Sequence, residues 1–181
     1  MRYAPLVTAG LLLALVGCTS PADPLPTVPA LHEQTDLGPD DGYVQPGTWL
    51  TLDDTVPAIA NLDHDLRAAL DLAAAAAEER GTELSFTDGW RSERYQQYLF
   101  DNAVANYGSE EEARRWVKQP DESNHVLGKA VDVATADAMD FLNRFGAEFG
   151  LCQIYSNEAW HFEYVPGVTE TCPPQLQDST G

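Results

Sequence analysis

The spacing of apolar residues predicts alternating helices and short strands from residue 61 onward. Residues 61–80 carry apolar side chains every three to four positions, which predicts a helix, and Gly81 follows as a stop signal. Further helices are predicted at 92–107, at 109–118 and at 135–149, and strands at 83–87, 130–134, 151–155 and 160–164. Because these elements show no regular βαβ alternation, we expect an α+β domain with a small, mainly antiparallel sheet flanked by helices.

The N-terminal residues read as an export signal. In residues 1–17, Arg2 precedes an apolar run that is too short to span a bilayer, as in a secretory signal peptide. The segment ending at Cys18 resembles the bacterial lipobox, which implies lipidation of Cys18 and anchoring to the outer face of the bacterial cell membrane. Ordinary secretion with a chance cysteine is the alternative.

The remaining boundaries follow from composition. Residues 18–42 are rich in proline and lack an apolar period, which predicts an extended linker. Residues 43–172 are then the folded domain, and residues 173–181 are a polar tail that we expect to be flexible.

Charge and cysteine content narrow the function. The 181 residues include 10 Lys+Arg and 29 Asp+Glu, a net charge of −19, which argues against nucleic acid as a partner and against a basic membrane-binding patch. We expect a monomer that meets the membrane only through its lipid anchor. With Cys18 lipidated in an exported protein, Cys152 and Cys172 are expected to form a disulfide, and two free buried thiols are the alternative.

Four polar residues form a candidate metal centre. His125, Asp132 and His161 are potential ligands, and three protein ligands leave an open position, as in catalytic rather than structural zinc sites. Glu158 lies three residues before His161 and could act as the general base of metal-assisted hydrolysis. A satisfied polar pair in the core is the alternative for a histidine and an aspartate in this setting.

The strand patterns predict which way these residues face. Val131 and Val133 should point into the core and leave Asp132 on the opposite face. In residues 160–164 the aromatic side chains should pack while His161 faces a cleft.

Three sequence segments resemble one family. Ser-x-His-x-x-Gly-x-Ala-x-Asp at 123–132, Glu-x-Trp-His at 158–161 and Gly-Trp-Arg-Ser with Gln96 at 89–96 resemble the VanY/VanX-type zinc D-alanyl-D-alanine carboxypeptidases and dipeptidases, closest to the VanY-like branch. The aromatic residue of the third segment is often Tyr or Phe, so Trp90 departs mildly from the pattern. The resemblance spans residues 57–166.

The resemblance implies a mechanism and a set of roles. Zn²⁺ would be held by His125, Asp132 and His161, and Glu158 would deprotonate the zinc-bound water that attacks the peptide bond. Arg91 would stabilise the oxyanion, with a surface ion pair as the alternative. Ser123 and Gln96 would hold the terminal residue of the substrate. Tyr155 would face the substrate, with a core tyrosine as the alternative.

The implied activity is removal of the C-terminal D-Ala from peptidoglycan stem peptides. An L,D-carboxypeptidase acting on tetrapeptide stems and a non-catalytic zinc-binding module are the alternatives. Arg91 and Lys129 lie in or beside the motifs and predict where a substrate carboxylate docks. Trp116 is interpreted as a packing residue, with a substrate platform as the alternative. Glu163 is interpreted as a solvated edge residue, with an indirect role beside His161 as the alternative.

Overall fold

The computed structural model describes residues 37–181. The signal segment, Cys18 and most of the linker therefore lie outside the described residues. The helices of the described part are Pro57–Ala60 (α1), His64–Glu78 (α2), Glu93–Tyr107 (α3), Glu110–Ala113 (α4) and Ala136–Phe145 (α5), with 3₁₀-helices at Pro39–Asp41 and Gly146–Phe149. The strands are Phe86–Asp88 (β1), Ala130–Val133 (β2), Leu151–Gln153 (β3) and His161–Tyr164 (β4).

The apolar side chains of helix α2 form its buried face, as the period of the sequence predicts. The Asp63 side chain caps it by accepting hydrogen bonds from the backbone N–H groups of Asp65 and Leu66. Its buried positions recur every three or four residues: Leu66, Ala69, Leu70, Ala73 and Ala77. No helix of residues 37–181 is both long and apolar enough to cross a membrane.

The strands of residues 37–181 form one antiparallel sheet in the order β1-β2-β4-β3. Its core face carries Val131, Val133 and Phe162, which pack with the buried sides of α2 and α5. The predicted α+β fold with a small antiparallel sheet is confirmed, and so is the inward orientation of both valines.

Two helices end well before their predicted ends. The helix begun at Ser109 ends at Ala113 rather than at residue 118. The chain after Ala113 leaves the helical path. Asn157, in the segment between β3 and β4, donates a hydrogen bond to the Arg115 carbonyl. The helix predicted at 135–149 ends at Phe145 and continues as a 3₁₀ turn.

The C-terminal segment packs against the domain, although its composition predicts a flexible tail. The structure joins Cys152 and Cys172 by a disulfide. Beyond it, Leu176 pairs with Tyr155 in a parallel bridge. Asp178 is buried and accepts a 2.8 Å hydrogen bond from Arg115 Nε. Composition alone did not reveal these partners because they lie far away in sequence.

The folded part also begins before residue 43. Asp41, in the 3₁₀-helix assigned to the linker, is buried and accepts a 2.9 Å hydrogen bond from Ser92 Oγ and further bonds from Arg94. The end of the predicted linker is thus fixed to the start of α3.

Candidate active site

Strand register and one glycine turn bring the three predicted metal ligands together. Asp132 and His161 are direct cross-strand partners in β2 and β4. His125 lies in the loop before β2, where its carbonyl accepts a 3.0 Å hydrogen bond from Gly128 N. Gly128 has a φ of +69°, and its carbonyl accepts a bond from Asp63 N. The turn folds the loop back onto the two strands.

The three ligand atoms form a nearly equilateral triangle. His125 Nε2 lies 3.2 Å from His161 Nδ1, and each nitrogen lies 3.4 Å from Asp132 Oδ1. A tetrahedral zinc ion with ligands at about 2.0–2.1 Å requires edges of about 3.4 Å between those ligands. Asp132 Oδ1 is buried and makes no hydrogen bond within the described residues. The donor set and the spacing therefore fit zinc.

In both histidines, the ring nitrogen that faces away from the ligand triangle is hydrogen-bonded. His125 Nδ1 donates to the Gly89 carbonyl at 2.7 Å, which leaves Nε2 as the ligand atom. His161 Nε2 donates to Glu163 Oε1 at 2.8 Å, and the other Glu163 oxygen accepts a 2.6 Å bond from Asn124. Partners of this kind fix the tautomer and the ring orientation of metal-binding histidines.

The acidic neighbours make the His161 ring more basic than a free imidazole. Burial acts to lower the pKa of His161, but the adjacent carboxylates of Asp132 and Glu163 outweigh it and raise the pKa to about 9. Burial acts to raise the pKa of Glu163, but the hydrogen bonds from His161 and Asn124 lower it overall. Glu163 therefore stays ionised and strengthens His161 as a metal donor.

Glu158 lies beside the ligand triangle without being part of it. The His161 N–H donates to the Glu158 carbonyl at 3.1 Å, and this tight turn holds Glu158 Oε2 3.9 Å from His161 Nδ1. Burial raises the pKa of Glu158 to about 7. A carboxyl group of that pKa can both accept and return a proton at neutral pH.

Arg91 is held by partners on three sides. Its Nη2 donates to Asp132 Oδ2 at 2.7 Å, and its Nε donates to Asp88 Oδ2 at 3.1 Å. Its Nη1 donates to Gln96 Oε1 at 3.2 Å. The guanidinium thus orients Asp132 through the oxygen that does not face the histidines.

A cavity of about 210 Å³ opens over the ligand triangle. The three predicted substrate-binding residues line this cavity and are buried: Ser123, Gln96 and Tyr155. The Gln96 amide is occupied on both sides, since Nε2 donates to the Lys118 carbonyl at 2.8 Å while Oε1 accepts from Arg91. The Tyr155 ring lies 5.2 Å from the His161 ring, centroid to centroid.

Residues 60–149 match the family model "VanY: D-alanyl-D-alanine carboxypeptidase". A D-alanyl-D-alanine carboxypeptidase of Enterococcus faecalis is 31% identical over 116 residues, which is 50% of this chain and 43% of that protein. The Bacillus subtilis protein YodJ is 31% identical over 113 residues, or 50% of this chain and 41% of that protein. The chain belongs to the VanY-type carboxypeptidase family. The match to these two relatives covers less than half of their length.

Solved structures agree with this assignment. A mutant of the vancomycin-resistance D,D-pentapeptidase VanY in complex with Zn(II) is 26% identical, with a TM-score of 0.52 over 57% of this chain and 72% of that one. VanYB in complex with D-alanine-D-alanine is 28% identical, with a TM-score of 0.53 over 57% and 71%. The LD-carboxypeptidase LdcB is 25% identical, with a TM-score of 0.54 over 68% and 71%.

Several residues of this VanY-type site lie differently from what the sequence predicts. Trp160 was expected to pack inside, but it precedes β4, is 41% exposed and lines the cavity rim. Trp116 is equally exposed and also lines the cavity. Glu163 is a partner of His161 rather than a solvated edge residue. Lys118 lines the cavity, whereas Lys129 is exposed and outside its lining.

Proposed function

We propose that this protein is a zinc-dependent D-alanyl-D-alanine carboxypeptidase that removes the C-terminal D-Ala of peptidoglycan stem peptides. The observation that carries the proposal is the buried triangle of His125, Asp132 and His161 with the Glu158 carboxyl group beside it. Family membership supports the same reaction class.

The chain's own groups provide the proton transfers. A zinc ion held by the triangle would supply Lewis acidity toward water and the peptide carbonyl. Glu158 accepts a proton as a water oxygen bonds to the carbonyl carbon, and it returns that proton to the amide nitrogen as the C–N bond breaks. The products are the shortened peptide and one free amino acid, so atoms and charges balance.

Arg91 supplies the fixed positive charge of the site. It lies against Asp132 and Asp88, and its side chain is 12% exposed, so it needs little reorganisation during the reaction. We assign it two effects: it orients Asp132, and its charge stabilises the negative oxygen that develops on the peptide carbonyl.

Two stem-peptide activities fit the family. The complex of VanYB with D-alanine-D-alanine supports a D,D-carboxypeptidase acting on pentapeptides. The likeness to LdcB supports the second candidate, an L,D-carboxypeptidase acting on tetrapeptides.

One assay tests the proposal and separates these candidates. The purified chain is analysed for bound zinc. It is then incubated with purified penta- and tetrapeptide, and the product masses are measured by mass spectrometry. Loss of one alanine from the pentapeptide alone supports the D,D-activity, and loss from the tetrapeptide alone supports the L,D-activity. If the zinc-loaded protein trims neither peptide, the carboxypeptidase proposal fails, and zinc with peptide binding would then indicate a non-catalytic module.

We further propose that the protein is exported as a monomer and tethered by a lipid on Cys18. The apolar N-terminal run followed by Cys18 supports this. Cys18→Ala should shift the protein from the detergent-soluble to the aqueous phase of a membrane extraction. Unchanged partitioning would rule out the lipid anchor.

A further inference from the structure

We propose that Lys118 binds the terminal carboxylate of the substrate and thereby restricts the enzyme to chain ends. This inference rests on the proposed function, because a carboxypeptidase must recognise the free carboxylate that marks the last residue of its peptide substrate. The sequence motifs suggested Arg91 and Lys129 for that carboxylate, but Arg91 is bonded to three other residues and Lys129 lies outside the cavity lining.

The charges around the cavity single out Lys118. A free carboxylate in a half-buried cavity requires a cation or several hydrogen-bond donors. Among the described residues, the cationic side chains that line the cavity are Arg91 and Lys118. Arg91 is already bonded to Asp88, Gln96 and Asp132.

The Lys118 ammonium group, by contrast, has no carboxylate within 4 Å among residues 37–181. It lies 5.5 Å from the centre of the Tyr155 ring. Burial acts to lower the pKa of Lys118, but the hydrogen bond with Tyr155 and the nearby carboxylates raise it overall. The side chain is therefore a cation at neutral pH with donors to spare.

The backbone of Lys118 is fixed relative to the metal site. Its carbonyl accepts the hydrogen bond from the buried Gln96 amide, whose oxygen accepts from Arg91, which in turn holds Asp132. This chain of bonds links the Lys118 backbone to one of the ligands. A backbone fixed in this way restricts where the Lys118 side chain can hold a substrate carboxylate relative to the reacting carbonyl.

Lys129 provides a matched control. It is the cation that the motifs had suggested, but it is exposed and outside the cavity lining. Lys129→Met removes the same charge as Lys118→Met and should leave substrate binding unchanged. Lys118→Arg keeps the charge and should retain most of the binding.

The test compares a peptide ending in D-Ala-D-Ala with the same peptide ending in a carboxamide, using the zinc-loaded full chain. Wild-type protein should prefer the free acid, and Lys118→Met should weaken binding of the acid by about 10- to 100-fold, through KM more than kcat. Binding of the amide should hardly change. Thermal unfolding of each variant checks that the fold is intact.

The outcomes separate this inference from the proposed function. Equal weakening of acid and amide by Lys118→Met, or a wild-type protein that does not distinguish them, overturns the role of Lys118. If wild-type protein releases no amino acid, the hydrolytic function fails, and direct binding of the two peptides still decides the role of Lys118. Loss of acid binding in Lys118→Met but not in Lys129→Met supports it.

Discussion

Asp132 and His161 face each other across two antiparallel strands, with Asp132 Oδ1 3.4 Å from His161 Nδ1. Strand pairing alone therefore places two of the three candidate ligands at metal-binding distance. The third, His125, comes from a loop, so its position depends on the turn at Gly128. The site combines a rigid pair with one ligand held by a turn.

Glu158→Gln should abolish most activity without loss of zinc. The amide cannot accept the proton from water, and a positioned general base contributes about 10²–10⁴-fold to a rate. Zinc content, measured by metal analysis, should stay unchanged because Glu158 is not one of the three clustered ligands. The exposed Glu148→Gln removes an equivalent charge away from the site and is the control. A fully active Glu158→Gln protein would show that another group is the base.

Glu163→Ala should weaken zinc binding. Its carboxylate accepts the His161 Nε2 proton at 2.8 Å, and loss of such an outer partner costs about 10- to 100-fold in metal affinity. Glu163→Gln keeps an acceptor oxygen but loses the charge, so its zinc affinity should be intermediate. The measurement is a competition titration with a chromophoric chelator.

The exposed Glu170→Ala is the control for this series. Equal zinc affinity in Glu163→Ala and Glu170→Ala would mean that the hydrogen bond to His161 does not support the metal.

Local sequence signals predicted the frame of the site. The apolar period of α2 and the alternation around Val131 depend on residues close together in the chain, so they are visible in the sequence. The same alternation predicted that Asp132 and His161 face away from the core side chains, and the structure clusters them with His125.

Contacts between distant segments could not be predicted in this way. Lys118 enters the cavity because the chain leaves the helical path after Ala113, and Gln96, 22 residues away, binds its carbonyl. Asn124, in the loop before β2, and Glu163 in β4 are 39 residues apart, and they meet where β2 and β4 pair. Such pairs leave no periodic pattern in a single sequence.

Gly128→Ala should disrupt the metal site more than an ordinary glycine replacement does. A Cβ at this position would lie 2.7 Å from the Asn61 carbonyl oxygen, and the φ of +69° is itself strained for alanine. We expect a loss of about 1–3 kcal/mol in unfolding free energy from the strain alone, with a further loss in zinc affinity as His125 shifts.

Gly108→Ala is the matched control for this clash. Gly108 has a φ of +84°, but a Cβ there would meet no atom of the described residues within 4 Å. Urea unfolding and zinc titration of both variants separate backbone strain from displacement of His125. Unchanged zinc affinity in Gly128→Ala would show that the turn does not position the ligand.

Removal of the Cys152–Cys172 disulfide should destabilise the fold. The bridge closes a loop of 20 residues, for which loop-closure entropy predicts roughly 3 kcal/mol. Cys172→Ser should lower the urea midpoint relative to wild type under oxidising conditions. With an excess of reductant the difference should largely disappear, and a difference that persists would assign the effect to packing of the serine.

The contribution of Asp41 to stability should depend on pH. The hydrogen bond from Arg94 lowers the pKa of Asp41 against the opposing effect of burial, and bonds from Ser92 and Gly38 add to it. A carboxyl group whose pKa is lower in the folded state stabilises the fold above its unfolded pKa of about 3.9. That contribution is lost as the pH falls through the lower, folded pKa.

Asp41→Asn should therefore be less stable than wild type at pH 7, and the difference should narrow as the pH falls below about 4. Urea unfolding of both proteins across this range measures it. Asp40→Asn is the control, because Asp40 is the exposed neighbour in the same 3₁₀-helix. A difference that stays constant down to acid pH would mean that Asp41 acts through packing rather than charge, since only a charge effect disappears on protonation.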